Sequence, residues 1–425
     1  MSRRTYHDPL HGAIRLDRDD PAEALAIDLI DTTPFQRLRR IRQLGPAFLT
    51  FHGAESSRFT HSLGVLHVAR LALGHLERLA PELAEERPLV YAAALLHDLG
   101  HGPLSHSGEE MYGLRHEQWS ARLIREHPEL RDRLDACRTG LAEQVASLLL
   151  GSGSGPKPAV AALVSSQLDC DRLDYLLRDS YSTGTSYGRL DLERILAALT
   201  IAPDGSLAVH PRGLLAVEHY LVVRQLMHRG VYNHRLNVVC NWLLHQAIET
   251  ARRLGSGAVW ADSTLARWLW QPQDLDLGTY LANDDVRTAY HLMRWREQAP
   301  AELAEPCRRL LDRDLPGALD VSELDSTARL ELLAEARNLA RAGGLMAETC
   351  CGLQLRESRG YLPYKGGLRL WDGRRLQALE QRSALVSTLA ERHRMAWLIH
   401  PREVKDQLQA RLNERLQRGG TGSTA

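Results

Sequence analysis

Lysine is almost missing from this sequence. Among 425 residues only Lys157, Lys365 and Lys405 occur, and every other basic residue is arginine. A GC-rich coding bias accounts for that preference by itself, so a scattered arginine carries no meaning and only a patterned one counts. Net charge is missing too, with 53 basic residues against 53 acidic ones. A neutral chain has no reason to coat duplex DNA or an anionic membrane, so an anionic ligand must be met by a local pocket. The six cysteines sit at irregular spacing with Cys350–Cys351 as the one close pair. That excludes a CxxC zinc or redox motif and argues against a disulfide framework. No run approaches the roughly 18 apolar residues of a membrane span, and Met1–Tyr6 has no apolar signal segment. No membrane association and a cytoplasmic location are therefore expected.

What is present is helical. Leu, Ala, Arg and Glu dominate, strand-like alternation is scarce, and no internal repeat is visible. Apolar positions recur at helical spacing over 62–79, 88–99, 116–126, 160–180 and 214–254. Pro88 suits a first helical turn, and Gly100 with Gly102-Pro103 ends that helix. Gly151-Ser-Gly-Ser-Gly-Pro-Lys-Pro reads as a flexible loop, and Gly255-Ser-Gly as weaker punctuation. The expectation is a mainly α fold with a first domain over 1–255, a mostly helical lobe with small β pieces over 256–418, and a disordered tail over 419–425.

Histidine is concentrated. Eight of the 19 histidines fall between His52 and His116, a density that coding bias does not explain. At the centre stands Leu95-Leu96-His97-Asp98-Leu99-Gly100-His101-Gly102, an apolar helix that ends on a His-Asp pair. Imidazole with carboxylate suits a divalent metal of borderline hardness. Adjacent helical residues diverge by about 100°, so both bind one ion only if it lies off the helix end. An isolated pair of this kind is more often a surface or capping pair, and further ligands are needed. His61 in Arg58-Phe-Thr-His-Ser-Leu-Gly opens one helix. Asp171 lies on another, where Asp171, Tyr175, Asp179 and Arg172 fall within about 100° of arc. Asp169 projects to the far side, which makes Asp171 the better ligand. A solvated acidic face would look similar, but the tyrosine and arginine on the same arc favour a site.

A second arc is expected on a helix over 219–235, where Arg224, His228, Tyr232 and Arg235 fall within about 80°. An ordinary amphipathic helix would also show a wet face. Cations beside a tyrosine platform nevertheless match what a nucleotide requires, charge for phosphates and an apolar face for sugar or base.

Five blocks, in order, resemble the HD-domain deoxynucleoside triphosphate triphosphohydrolases, the family of bacterial dGTPases and of the SAM-and-HD-domain dNTPase. They are Arg58–Gly64, His97–His106, His116-Glu117, Asp169–Tyr175 and Tyr232–Arg235. The resemblance begins at His7-Asp-Pro-Leu-His11-Gly12, so no SAM module is expected ahead of it. After about residue 260 it thins to a general similarity around Gly360–Lys365.

The resemblance implies an HD helical-bundle core and metal ligation by His61, His97, Asp98 and Asp171, with Mn, Mg, Fe, Ni and Zn all admissible. It implies proton transfer among His101, Glu109 and His116, with Glu117 nearby. Phosphate contacts are implied for Arg58, His106, Arg172 and Arg224, and sugar contacts for Gln43, Tyr175, Asp179 and Asn233. Leu44 and Tyr232 would pack near C2′ and exclude a ribose hydroxyl. The implied reaction is metal-assisted attack of water on the α-phosphorus, releasing intact triphosphate and a deoxynucleoside. A guanine-nucleotide activator, GTP or dGTP, is implied at Arg4, Asp31, Gln36 and Arg39, although the same residues could simply brace a helix. A homo-oligomer (dimer, tetramer or hexamer) is implied as well. Glu109 stands where some members have Asp, a longer reach at a proton-transfer position.

Two other readings compete. An HD-type phosphodiesterase or nuclease acting on single-stranded nucleic acid or a signalling nucleotide would use the same ligands. The lack of interleaved basic-aromatic runs weighs against a long nucleic-acid track. A non-catalytic nucleotide sensor would require a broken ligand set, and all four ligands are present.

Overall fold

The computed structural model describes residues 3–151, 157–363 and 367–420. The centre of the glycine-serine loop at 151–158, the Tyr364-Lys365 pair and the tail from 421 onward lie outside the described residues. The chain folds into two compact units. The first comprises Met1–Met227, Leu275–Asp285 and Arg359–Glu391, and the second His228–Asp274, Val286–Ser358 and Arg392–Ala425. This division differs from a single break near residue 255, because two later segments return to the first unit.

The first unit is a helical bundle around the Arg58–Glu77 helix, which buries Phe59, Leu63, Leu66, Ala69, Leu73 and Leu76. Helices Arg87–Leu96 and Cys170–Thr183 pack on it. Its β structure is peripheral: an antiparallel hairpin, Arg3–Asp8 with Gly12–Asp17, and a four-stranded sheet ordered Leu199–Ile201, Leu207–Val209, Arg369–Trp371, Leu376–Ala378. The second unit sets helices Ser326–Ala342 and Lys405–Gly420 against an antiparallel sheet of Gly317–Asp320, His393–His400 and Gly352–Ser358. Its core is built from Leu332, Ala336, Leu398, Leu408 and the unbridged Cys350 and Cys351. Small β pieces thus occur in both units rather than in the C-terminal lobe alone. Among the described residues no helix is long and apolar enough to cross a membrane.

Local capping decides where helices start. The 116–126 periodicity is realised as His116–Glu126. The 160–180 stretch breaks into Pro158–Val164 and Cys170–Thr183. Asp169 ends the break by accepting from the Ser166 and Arg172 backbone N–H groups at 3.0 and 2.9 Å, an N-cap that satisfies donors the new helix leaves open.

The 214–254 stretch is not one helix either. It runs Leu214–Met227, passes through a π-helical turn at His228–Tyr232, and restarts at Arg235–Leu254 with His234 as the cap. Asn237 Nδ2 donates to the Val231 carbonyl at 2.7 Å and secures the turn. The expected continuous arc from Arg224 to Arg235 therefore does not exist as an α-helical surface, because the π turn shifts the angular phase beyond Met227.

Candidate active site

The His61 helix, the end of the Arg87–Leu96 helix and the Cys170–Thr183 helix converge on one point in the first unit. One donor atom from each of His61, His97 and Asp171 lies within 4.8 Å of the others. His61 Nε2 is 3.0 Å from Asp171 Oδ1 and 3.3 Å from His97 Nε2. Asp98 borders the group, its carboxylate oxygens 3.4 Å from His97 Nε2 and 3.5 Å from His61 Nε2. Asp169, by contrast, is spent on the helix cap.

Both imidazoles are oriented from behind. His61 Nδ1 bonds Asp174 Oδ2 at 2.8 Å, and His97 Nδ1 bonds the Ala94 carbonyl at 2.9 Å. Each bond fixes the tautomer in which Nε2 offers its lone pair to the centre. Asp174 is fully buried and also takes His11 Nε2 at 2.6 Å and Arg178 Nε at 2.7 Å. Arg178 continues to Asp8 at 2.9 Å. Gly64 makes this possible: a Cβ there would stand 2.0 Å from Asp174 Oδ1. Asp174 was not singled out from the sequence. Its spacing was the available signal, three residues after Asp171 on one helical side and four before Arg178.

Electrostatics fit a cation. Burial disfavours a charged His61, but the Asp171 and Asp174 carboxylates outweigh it and raise its pKa to about 10. His97 is likewise raised against burial by Asp98 and Asp171. Two imidazoles drawn toward the protonated form mark a place where positive charge is favoured, and a mixed N/O donor set suits a divalent metal ion.

Beside this centre lies a second histidine group. Glu109 Oε1 is 2.7 Å from His116 Nδ1, 3.0 Å from His106 Nδ1 and 3.3 Å from His101 Nδ1. His101 Nε2 lies 3.2 Å from Asp98 Oδ1, which links the two groups. Gly100 allows the approach, since a Cβ there would stand 2.2 Å from the His116 carbonyl oxygen. The His101 and His116 rings stack at 3.9 Å and 16°. Three ring nitrogens thus converge on one carboxylate oxygen, and their donor atoms lie within 4.8 Å of one another, close enough to exchange a proton through Glu109 or to hold a second ion. Burial, with Arg58 and His116 adding to it, holds His101 well below the ordinary imidazole range. Burial opposes the charge on Glu109, yet bonds from His106 and His116 keep it ionised. Glu117 flanks the group, 3.7 Å from His116 Nδ1.

The expected ligand contacts divide. Arg58 is buried and holds Asp98 Oδ2 at 2.6 Å, Ser105 Oγ at 3.0 Å and the Gln43 carbonyl at 3.3 Å. Gln43 is buried with Oε1 lacking a partner among the described residues, and Leu44 beside it is half-buried. His106 is exposed at the start of its helix. Arg172 pairs with Asp169 and bonds the Ser166 carbonyl at 2.5 Å. Tyr175 follows Asp171 by one turn, and burial pushes its phenol up to about 12 while Arg224 and Arg172 pull it down. Arg224 has Nε and Nη1 buried without a hydrogen-bond partner among the described residues. Asp179 is buried one turn further along. Tyr232 and Asn233 lie at the π turn, which belongs to the second unit.

The residues of the activator expectation gather at the surface of the first unit. Arg4 pairs with Asp31, Arg39 Nε bonds Gln36 Oε1 at 2.8 Å, and Gln36 Nε2 bonds the Ile30 carbonyl at 2.8 Å.

Comparison with known proteins agrees with this geometry. The HD domain family matches residues 58–178, and the HD associated region family matches 190–298. YwfO of Bacillus subtilis, an uncharacterised protein, is 37% identical over 314 residues, covering 73% of this chain and 71% of that one. This chain belongs to the HD-domain family of YwfO. A phosphohydrolase from Bacteroides thetaiotaomicron superposes on the YwfO-family chain with a TM-score of 0.80 and 26% identity, over 94% of this chain and 100% of that one. The fold is that of an HD phosphohydrolase, and its His/Asp cluster is of the type that binds a divalent metal. A deoxynucleoside triphosphate triphosphohydrolase SAMHD1 homolog of Dictyostelium discoideum is 28% identical over 268 residues, covering 59% of this chain and 50% of that protein. The chain thus spans about half the length of that relative.

Proposed function

We propose that this YwfO-family protein is a metal-dependent deoxynucleoside triphosphate triphosphohydrolase. The observation that carries the reading is Arg224. Its Nε and Nη1, buried and without a partner among the described residues, act on Tyr175, one turn along the helix from Asp171 of the His/Asp cluster. Buried guanidinium nitrogens without partners are costly even on a half-buried side chain, and an anion supplied by a ligand offsets that cost. The triphosphohydrolase named among the relatives supports the choice of anion.

On this reading His61, His97, Asp98 and Asp171 hold the divalent ion. When bound, the ion lowers the pKa of water and neutralises developing charge on phosphate. Arg172, Arg224 and His106 bind the triphosphate, and Arg58 braces Asp98 from the side. Tyr175 and Asp179 line the sugar with Gln43, and Leu44 bars a 2′-hydroxyl; Tyr232 and Asn233, in the second unit, are not needed for this reading. His116 and Glu109 relay a proton through the stacked His101 toward the departing 5′-oxygen, with Glu117 bordering the relay. Arg4, Asp31, Gln36 and Arg39 form a surface site for GTP or dGTP, in a homo-oligomeric enzyme.

The test is to incubate the protein with each dNTP and Mn²⁺ or Mg²⁺, with and without GTP, and to separate the products by ion exchange. Deoxynucleoside plus triphosphate is expected. Monophosphate plus pyrophosphate, or cleavage of oligonucleotides alone, overturns the reading in favour of a phosphodiesterase or nuclease.

A further inference from the structure

Leu104 and Ser105 both have positive φ, +63° and +56°. Residues bearing a Cβ avoid that region unless their surroundings enforce it. The enforcement comes from residues far along the chain, in the segment Leu275–Asp285 that returns to the first unit. Asp285 is buried, and its two carboxylate oxygens accept separately from the Leu104 N–H at 2.7 Å and the Arg42 N–H at 2.9 Å. Ser105 Oγ, placed by that turn, donates to the Arg42 carbonyl at 2.6 Å and accepts from Arg58 Nε at 3.0 Å. Arg58 passes the placement to Asp98 and to the Gln43 carbonyl. At the other end of the same turn, Tyr280 donates its hydroxyl to the Gly100 carbonyl at 2.5 Å. Its ring stacks on Trp119 of the His116 helix at 3.6 Å.

We propose that Asp285 is a positioning residue for catalysis. It ties the strained Leu104–Ser105 turn to residues 42–43, while Tyr280 anchors the turn's start, and together they set Arg58, Asp98 and His106 in register. The proposal deepens the triphosphohydrolase reading and rests on it for its kinetic arm. Asp285 and Tyr280 both lie within the matched HD associated region.

The decisive experiment compares backgrounds. D285N keeps one acceptor and opposes an amide donor to the second backbone N–H. It is expected to lower kcat for dNTP hydrolysis about tenfold with the metal content per chain unchanged. Leu104→Gly and Leu104→Ala remove the same buried side chain but differ in tolerance of positive φ. With Asp285 present their kcat values should agree within about twofold. In the D285N background the glycine variant should be faster by about fivefold or more. Equal ratios in both backgrounds, or wild-type kcat in D285N, overturn the proposal.

A second arm needs no substrate. Hydrogen exchange at the Leu104 and Arg42 amides should accelerate by about tenfold or more in D285N, and unchanged exchange overturns the proposal even if dNTPs prove not to be substrates. Should D285N fail to fold, Tyr280→Phe, which removes one hydroxyl, is expected to lower kcat two- to fivefold. Unchanged kcat there overturns the clamp.

Discussion

The floor and the mouth of the site are built on opposite principles. On the floor, Asp174 takes bonds from His61, His11 and Arg178, and Arg178 takes Asp8, so buried charge meets buried charge on every side. At what we call the mouth, Arg224 Nε and Nη1 and Gln43 Oε1 are buried with no partner among the described residues. Buried polar groups left without partners carry a cost, and under the proposed function a ligand would offset it at Arg224 and Gln43. The floor orients His61 from behind through Asp174; under the proposed function the mouth is where substrate would bind.

That contrast can be broken most forcefully at the metal centre. His97→Ala with Asp98→Ala should abolish dNTP hydrolysis, by on the order of a thousandfold or more, the several kcal/mol that a catalytic ion supplies. Residual metal-dependent activity near wild type would remove the centre from the chemistry. Next in size is the floor itself. Asp174→Ala strands Arg178 and unties His61, and should cost about 3–5 kcal/mol of stability, read by urea unfolding. Arg224→Ala at the mouth should do the reverse: stability within about 0.5 kcal/mol of wild type or slightly higher, but kcat/KM for dNTP lower by roughly 10–100-fold. Equal destabilisation by the two substitutions would erase the distinction between floor and mouth.

A smaller effect concerns pH. Burial pushes Asp285 up to about 6, against the bonds it accepts from Leu104 and Arg42 and the nearby Arg42 charge, with Asp284 adding to the rise. A carboxyl whose folded pKa lies above its unfolded value binds its proton more tightly in the folded chain. Its contribution to stability is therefore full below about pH 4 and is lost as pH rises through about 6, with an upper bound of about 3 kcal/mol. Unfolding of wild type and D285N across that window should differ in slope by this one group, and parallel curves would refute the assignment. Smallest of all, Arg4→Ala and Arg39→Ala break exposed pairs and should change stability by no more than about 0.5 kcal/mol. Under the proposed function they should still remove any stimulation by GTP. Stimulation that survives both would leave Arg4 and Arg39 as surface braces.

Much of the site was legible because its residues announce themselves within a few positions. The bounds of the His116–Glu126 helix follow from its apolar spacing, and His61, His97, Asp98 and Asp171 stand out as imidazoles and carboxylates next to helix ends. The choice of Asp171 over Asp169 followed from angular position, and Asp169 is indeed the cap. Other features were hidden for a definite reason. Asp174 sits on the inward side of its helix, where a carboxylate is unexpected unless His11, His61 and Arg178 are known to be there. The break at His228–Tyr232 depends on an Asn237 bond back to a carbonyl, which no periodicity reports.

The sequence alone thus determined the helical class and a His/Asp set suited to a divalent ion, since these rest on side-chain type and on neighbours three or four positions apart. Tertiary structure decided which charges are paired, where the chain leaves the first unit and returns, and that Asp285 reaches a turn 181 residues earlier. Those are matters of burial and of contacts between distant segments. Free energy there depends on what surrounds a group in space, and local sequence carries no record of it.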